Sequence, residues 1–291
     1  MRVRRGERIA FLGGGRREAR AAARLRQEGL EVLEIRRGDG WDEAGAAEAF
    51  AGLRALILPL ASVGPTPEVP EEGVPAWRLD PGWLAALPAG TPLLFGRPAS
   101  GPAEPVLEEI LRRHPAVALL ERDDFAWLNA VATAEGAILA AAERLERTLA
   151  GARLLVLGYG RVGRTLARLL AAWNSRVLVL AATAPQRAEA RADGLEAAPL
   201  EALTRVVREA DLLFNTVPAP LLGAELFLAR PALPVLDLAS RPGGLDPALR
   251  ERPPEGYQIL PNIPERYAPA SAGEVLAEVI LEVLRVEWKR G

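Results

Sequence analysis

The run Gly158-Tyr159-Gly160-Arg161-Val162-Gly163 constrains the fold of this chain more than any other feature. It directly follows the apolar stretch Leu154-Leu155-Val156-Leu157 and opens Arg164-Thr165-Leu166-Ala167-Arg168-Leu169-Leu170, which has helical apolar spacing. Strand, glycine turn and helix in that order make a dinucleotide-binding unit. The first glycine permits the turn, the second lets a pyrophosphate approach the backbone, and the third lets the helix pack closely on the sheet. Free N–H groups at the helix start then face the phosphates. A second strand, Arg176-Val177-Leu178-Val179-Leu180, follows at the spacing such a unit needs, whereas a simple packing turn would require none of these flanks.

Similar apolar runs alternate with helical stretches along the whole chain, the pattern of an α/β fold with buried parallel strands. The first half offers Arg8–Leu12, Glu31–Ile35, Ala55–Leu58, Pro92–Phe95 and Val117–Leu120. The second adds Leu212–Asn215, Val235–Leu238 and Tyr257–Leu260 to the two strands around the glycine motif. The expected architecture is two doubly wound parallel-sheet (Rossmann-like) domains with a cleft between them. Residues 1–122 form a substrate domain, 123–150 a connecting helix that starts at Asp123-Asp124, and 151–270 an NAD(P)-binding domain. Residues 271–291 begin with the capping-box pattern Ser271-Ala272-Gly273-Glu274 and form a helix expected to cross back to the first domain. A chain ending at Ala270 should therefore lose stability in both domains.

The first half begins like the second, with Gly13-Gly14-Gly15-Arg16-Arg17-Glu18 after a strand, but Glu18 stands where a third small residue belongs. A plain strand-to-helix turn is the expectation here, against a second anion site. Glu34 lies near ribose-binding distance, so spacing alone does not dismiss a cofactor on this half.

With 291 residues, 49% of them hydrophobic, the chain can fill two cores. A net charge of −2 provides no electrostatic basis for nucleic-acid or membrane binding. The absence of cysteine excludes disulfides, thiolate nucleophiles and Cys-ligated metals. No metal site is expected, and the short apolar run after the basic N-terminus does not make a signal peptide, so a cytoplasmic protein is expected.

About twenty residues beyond Gly158, where NAD-binding folds place a ribose-binding carboxylate, stands Leu180-Ala181-Ala182-Thr183. Thr183, Gln186 and Arg187 could instead donate to a 2'-phosphate, which favours NADP, with NAD as the alternative. Asn215-Thr216-Val217-Pro218 and Asp237-Leu238-Ala239-Ser240-Arg241-Pro242-Gly243-Gly244 follow strands and should line the nicotinamide. Arg241 could clamp a carboxylate or pair with an acid such as Asp237, which itself reads as a hydrogen-bonded structural residue.

The usual catalysts are missing. His114, the only histidine, precedes a proline and reads as a surface loop residue, and Lys289, the only lysine, lies near the C-terminus. The histidine of two-domain hydroxy-acid dehydrogenases, the lysine of amino-acid dehydrogenases and any Ser-His-Asp arrangement are therefore excluded.

Leu120-Glu121-Arg122-Asp123-Asp124, Asn129 with Thr133-Ala134-Glu135-Gly136, the glycine motif, Asn215-Thr216-Val217-Pro218 and Leu236–Gly244 together resemble the family of dipicolinate synthase A subunits of endospore-forming bacteria. The resemblance runs over nearly the full length. It implies oxidation of a dihydrodipicolinate-type lysine-pathway intermediate to dipicolinate, beside the flavoprotein-like B subunit of dipicolinate synthase, in the mother cell of a sporulating bacterium.

On that reading the substrate is a dianion. Arg241, Arg122, Arg97 and the helix start at Ser271 are its candidate receptors, and Glu135 or Asp123 takes the proton. Gly158, Tyr159, Gly160, Arg161, Val162, Gly163, Thr183, Arg187, Asn215, Thr216 and Pro218 hold the cofactor. A homo-oligomer is compatible with all of this, as is the alternative of a nucleotide-binding scaffold whose partner does the chemistry. Two segments depart from the family pattern, Pro261–Pro269 and Phe95-Gly96-Arg97-Pro98, and both bear on substrate contacts.

Overall fold

The computed structural model describes residues 6–36, 43–60, 63–64, 68–78, 86–98, 112–240 and 242–286. The chain divides into two compact units, residues 1–129 with 268–291, and residues 130–267.

In the first unit, β1 (Arg8–Leu12), β2 (Glu31–Ile35) and β3 (Leu53–Ile57) are followed by β4 (Val63–Gly64), β5 (Glu68–Glu71) and β6 (Val74–Arg78). Then come β7 (Leu93–Phe95), β8 (Arg97–Pro98) and β9 (Ala116–Ala118). The main sheet is parallel, in the order β2-β1-β3-β7-β9, while β4 pairs with β8 and β5 with β6. That is a doubly wound order with its switch point between β1 and β3. The central strands β1, β3 and β7 are mostly apolar and buried, as in a parallel sheet covered on both faces, whereas the edge strand β2 carries Glu31 and Glu34.

The second unit contains β10 (Arg153–Leu157), β11 (Arg176–Leu180), β12 (Glu196–Ala198), β13 (Leu212–Asn215), β14 (Val235–Asp237) and β15 (Tyr257–Ile259). All run parallel in the order β12-β11-β10-β13-β14-β15, the order of a complete dinucleotide-binding sheet. The fold class is thus two Rossmann-like parallel-sheet α/β units, with β12, the β4–β8 pair and the β5–β6 hairpin as elements not anticipated.

The Asp123–Arg144 helix starts where the two aspartates announce it and stops six residues short of the expected end at residue 150. The division between the units falls inside it, after Asn129. Its length and mean hydropathy of 1.4 match those of a membrane span, but 56% of that window is buried in the protein, as in a core helix.

The last helix runs Pro269–Val286 and belongs to the first unit. Its start corrects the capping-box expectation. Pro269 is preset for the first helical turn, so the helix begins two residues before Ser271, which is an exposed first-turn residue rather than a cap. Leu276, Ile280 and Val283 enter one core with Ala21, Leu25, Ile9 and Phe11. Where the helix meets Arg16–Gln27, a Cβ at Gly273 would lie 2.4 Å from Arg20 Cβ, so the two backbones pack closely. An Ile280→Ala substitution should cost about 2–5 kcal/mol in denaturant unfolding of the first unit.

His114 is not a surface residue. It is 3% exposed, and its Nδ1 lies 3.0 Å from the carbonyl of Thr91, while Nε2 is buried without a hydrogen-bond partner. Burial pushes its pKa below the ordinary 6.5.

Candidate functional site in the second unit

β10, β13 and β14 end level with one another, because Leu157 pairs with Leu180 and Asn215, and Asn215 with Asp237. Their loops therefore leave the sheet side by side, the position where open α/β sheets bind ligands.

The glycine loop is built as the motif requires. Gly158 has φ +97°, which a residue with a side chain rarely adopts, and a Cβ there would lie 2.5 Å from Thr216 Oγ1. A Cβ on Gly163 would lie 2.2 Å from the Gly158 carbonyl oxygen, so this glycine lets the Arg161–Ala172 helix sit against the turn. Gly160 differs from both. Its φ of −84° and ψ of −166° suit any residue, and a Cβ would meet nothing within 4 Å. No protein contact calls for glycine there, and the open space beside the helix N-terminus fits a diphosphate approaching the backbone.

Of the other motif residues, Arg161 and Val162 begin the helix, both half-buried. Tyr159 turns into the core at 3% exposure, and its hydroxyl donates to Asp193 Oδ2 at 2.7 Å. Burial and then the Asp193 carboxylate raise the phenol's pKa. Arg164 also donates to Asp193, at 2.8 and 3.2 Å. The Tyr159 side chain therefore braces the loop, leaving only its backbone to face a ligand.

At the end of β11, Thr183 caps the Ala184–Ala192 helix, its Oγ1 accepting from Gln186 N at 3.3 Å. Arg187 donates to the carbonyls of Ala181 and Ala182, each at 2.8 Å. The guanidinium is thus held at the turn where the ribose-binding carboxylate of an NAD site would stand.

After β13, the hydroxyl of Thr216 donates to the Leu157 carbonyl at 2.8 Å, tying this loop beneath the glycine turn, and Pro218 is exposed beyond it. Asn215 is fully buried. Its Oδ1 accepts from Val217 N at 3.1 Å and its Nδ2 donates to Asp237 Oδ1 at 2.7 Å. Asp237, also fully buried, accepts further from Ala239 N at 3.0 Å, Gly244 N at 2.7 Å and the Tyr257 hydroxyl at 2.6 Å. These bonds hold it as a structural residue, with partners that the sequence did not reveal. Burial and then Asp237 raise the pKa of Tyr257. Arg241 lies outside the described residues.

The structure separates the remaining candidates by unit. Glu135 is exposed on the Asp123–Arg144 helix, on the face that carries Trp127, Val131 and Leu139, which are 43–50% exposed. Asp123, Arg122, Arg97 and Ser271 belong to the first unit. Arg122 holds Asp124 in a bidentate pair at 3.1 and 2.6 Å, which keeps the Asp124 carboxyl below its usual range. Arg97 is half-buried on β8. Among the described residues no group of three His, Cys, Asp or Glu could hold a metal ion.

The first unit's own glycine turn is filled from within. The Glu18 carboxylate, 3% exposed, accepts from Gly15 N at 3.0 Å, Leu60 N at 3.2 Å and the Arg17 guanidinium at 3.2 and 3.3 Å. An internal anion occupies the helix N-terminus, which is why the turn departs from the glycine pattern. Glu34 pairs with Arg26 and Arg36.

Residues 119–227 match the model of the D-isomer-specific 2-hydroxyacid dehydrogenase NAD-binding domain, which makes a nicotinamide dinucleotide the cofactor class. The dipicolinate synthase A subunit of Bacillus subtilis (strain 168) is 30% identical, over 96% of both chains. The crystal structure of the dipicolinate synthase A chain from Bacillus subtilis superimposes with a TM-score of 0.80 at 26% identity, covering 100% of this chain and 99% of that one. The dipicolinate synthase A subunit from Bacillus halodurans gives 0.78 at 27% identity, covering 96% and 98%. A similarity that spans both units from end to end, and not the dinucleotide-binding half alone, places this chain in the family of dipicolinate synthase A subunits.

Proposed function

We propose that this chain is the oxidoreductase subunit of a dipicolinate-forming enzyme, taking hydride from a dihydrodipicolinate-type intermediate of the lysine pathway onto NADP. The observation that carries this reading is the 30% identity to the A subunit of dipicolinate synthase over 96% of both chains. The open space at Gly160 supports it, since a cofactor diphosphate is what would fill it.

The cofactor supplies the hydride acceptor. A dihydropyridine ring loses one hydride and one proton and becomes aromatic, so the protein needs a positioned acceptor and only a weak base. That demand suits a chain with no cysteine and one buried histidine. The loop from Gly158 to Gly163 and the helix N-terminus after it would hold the diphosphate. Thr183 and Arg187 would meet the 2'-phosphate, and Asn215, Thr216 and Pro218 the nicotinamide side. Arg241, with Arg122, Arg97 and the first turn at Ser271, would receive the two substrate carboxylates. Glu135 or Asp123 would accept the proton. The B subunit of dipicolinate synthase, in a sporulating cell, is the proposed partner.

A second reading, a nucleotide-binding scaffold, is favoured by one observation. Asp237, the one carboxylate among the described residues at the ends of β10, β13 and β14, is already saturated by four donors. The experiment is steady-state turnover of the purified full chain with the dihydrodipicolinate-type substrate and NADP or NAD, without and with the B subunit. Reduction of NADP by the chain alone is the expected result, with a Kd for NADP below that for NAD. Cofactor binding with turnover only in the presence of the B subunit would establish the scaffold.

A further inference from the structure

We infer that Asp237 is the positioning residue of the site, a single carboxylate that sets Ala239 and Gly244, at the two ends of the loop after β14, against the loop after β13. The inference rests on the function proposed above for the identity of the substrate, but not for its geometry.

Four donors from two strands and the intervening segment converge on this carboxylate. Asn215 comes from the end of β13, Ala239 and Gly244 from the two ends of the segment after β14, and Tyr257 from β15. Both ends of a six-residue segment are thereby pinned to one side chain, and Gly243 N closes the turn onto Ser240 O at 2.9 Å. The two glycines that end the segment make this approach feasible. A Cβ on Gly244 would lie 2.1 Å from Asn215 Nδ2, and one on Gly243 3.1 Å from Asp237 Oδ2. The spacing of Asp237 to Gly243-Gly244 is therefore the requirement of a carboxylate clamp.

Ionised carboxylates are expensive to bury, and well-packed apolar residues of similar volume often do as well or better for stability. What an apolar side chain cannot do is fix two loop ends and a neighbouring amide in one geometry. Asn215 extends that geometry, since the side chain that donates to Asp237 also accepts from Val217 N and donates to the Val217 carbonyl. The loops after β13 and β14 thus share one anchor.

Two substitutions in the full chain test this. Asp237→Asn turns one acceptor oxygen into a donor that faces donors, and Tyr257→Phe removes one donor while leaving the carboxylate. For Asp237→Asn, kcat/KM should fall on the order of 100-fold, the scale of an ångström-level misplacement. Tyr257→Phe should raise KM for the dicarboxylate severalfold, with kcat and the Kd for NADP within about twofold. A KM change that matched a change in cofactor Kd, or an unchanged KM in folded forms of both variants, would overturn the inference.

A wild-type chain with no turnover would defeat the proposed function. The inference would then be decided by amide exchange, where Asp237→Asn should speed exchange at Ala239 and Gly244 at least tenfold while Leu154–Leu157 stay protected. Equal loss of protection in both segments, or none in either, would defeat it.

Discussion

A Gly160→Val chain should be as stable as the wild type yet bind NADP at least about a hundredfold more weakly, close to 3 kcal/mol of binding free energy. The backbone at Gly160 is extended enough for any residue, and a Cβ there meets no protein atom within 4 Å. The added side chain would therefore displace only a ligand. Gly163→Ala provides the contrast, because its Cβ would press to 2.2 Å from the Gly158 carbonyl oxygen, a backbone atom that cannot swing away. That variant should lose about 1–3 kcal/mol of stability through overpacking before any ligand is added. Thermal unfolding and fluorescence titration with NADPH, performed on both variants, separate the two roles. Equal stability losses would mean that Gly160 serves packing, and the case for a diphosphate in that space would fail.

The second large effect is expected in the first unit. Glu18→Ala should destabilise that unit by about 3–5 kcal/mol, since the amides of Gly15 and Leu60 and the Arg17 guanidinium all lose one buried anionic acceptor. Arg17 and Glu18 are 4% and 3% exposed, so water cannot replace the lost partner. Burial alone would raise the carboxyl pKa, but Arg17 and the amides of Gly15 and Leu60 outweigh it and hold the pKa below the ordinary 4.5. A carboxylate with a depressed pKa contributes stability that is present above the unfolded value and lost as the pH falls through the folded one.

The wild-type first unit should accordingly weaken below about pH 4.5, and Glu18→Ala should remove that part of the pH dependence. His114 acts in a different window. Its pKa is lowered from 6.5, so protonation favours the unfolded chain and stability declines as the pH drops below that value, in wild type and variant alike. Denaturant unfolding at several pH values checks both. A Glu18→Ala curve parallel to wild type below about pH 4.5 would contradict the assignment.

These residues also show what could be read in advance. The glycine motif and its flanking strands were legible because a buried parallel strand is a continuous apolar run and the turn chemistry is local. β12, Glu196-Ala197-Ala198, carried no such run and is a strand only because β11 lies beside it. Glu18 was visible as a break in the glycine pattern, but its role depends on the amide of Leu60, far along the chain. His114 read as a loop residue because a histidine before proline usually is one, while the Thr91 carbonyl and the surrounding core draw it inside. Ser271 lost the helix start to Pro269, two residues earlier. Asp237 was legible as a hydrogen-bonded strand residue, whereas Gly244 and Tyr257 become its partners only through the β13–β14–β15 register.

The most direct test of the account is a single turnover with the purified full chain in excess over NADP, supplied with the dihydrodipicolinate-type substrate and followed by reduced-nicotinamide absorbance and product analysis. One dipicolinate formed per NADPH in the wild type, and neither product in Gly160→Val, is the predicted result. Dipicolinate formed without reduction of the cofactor, or a Gly160→Val chain as active as the wild type, would contradict it.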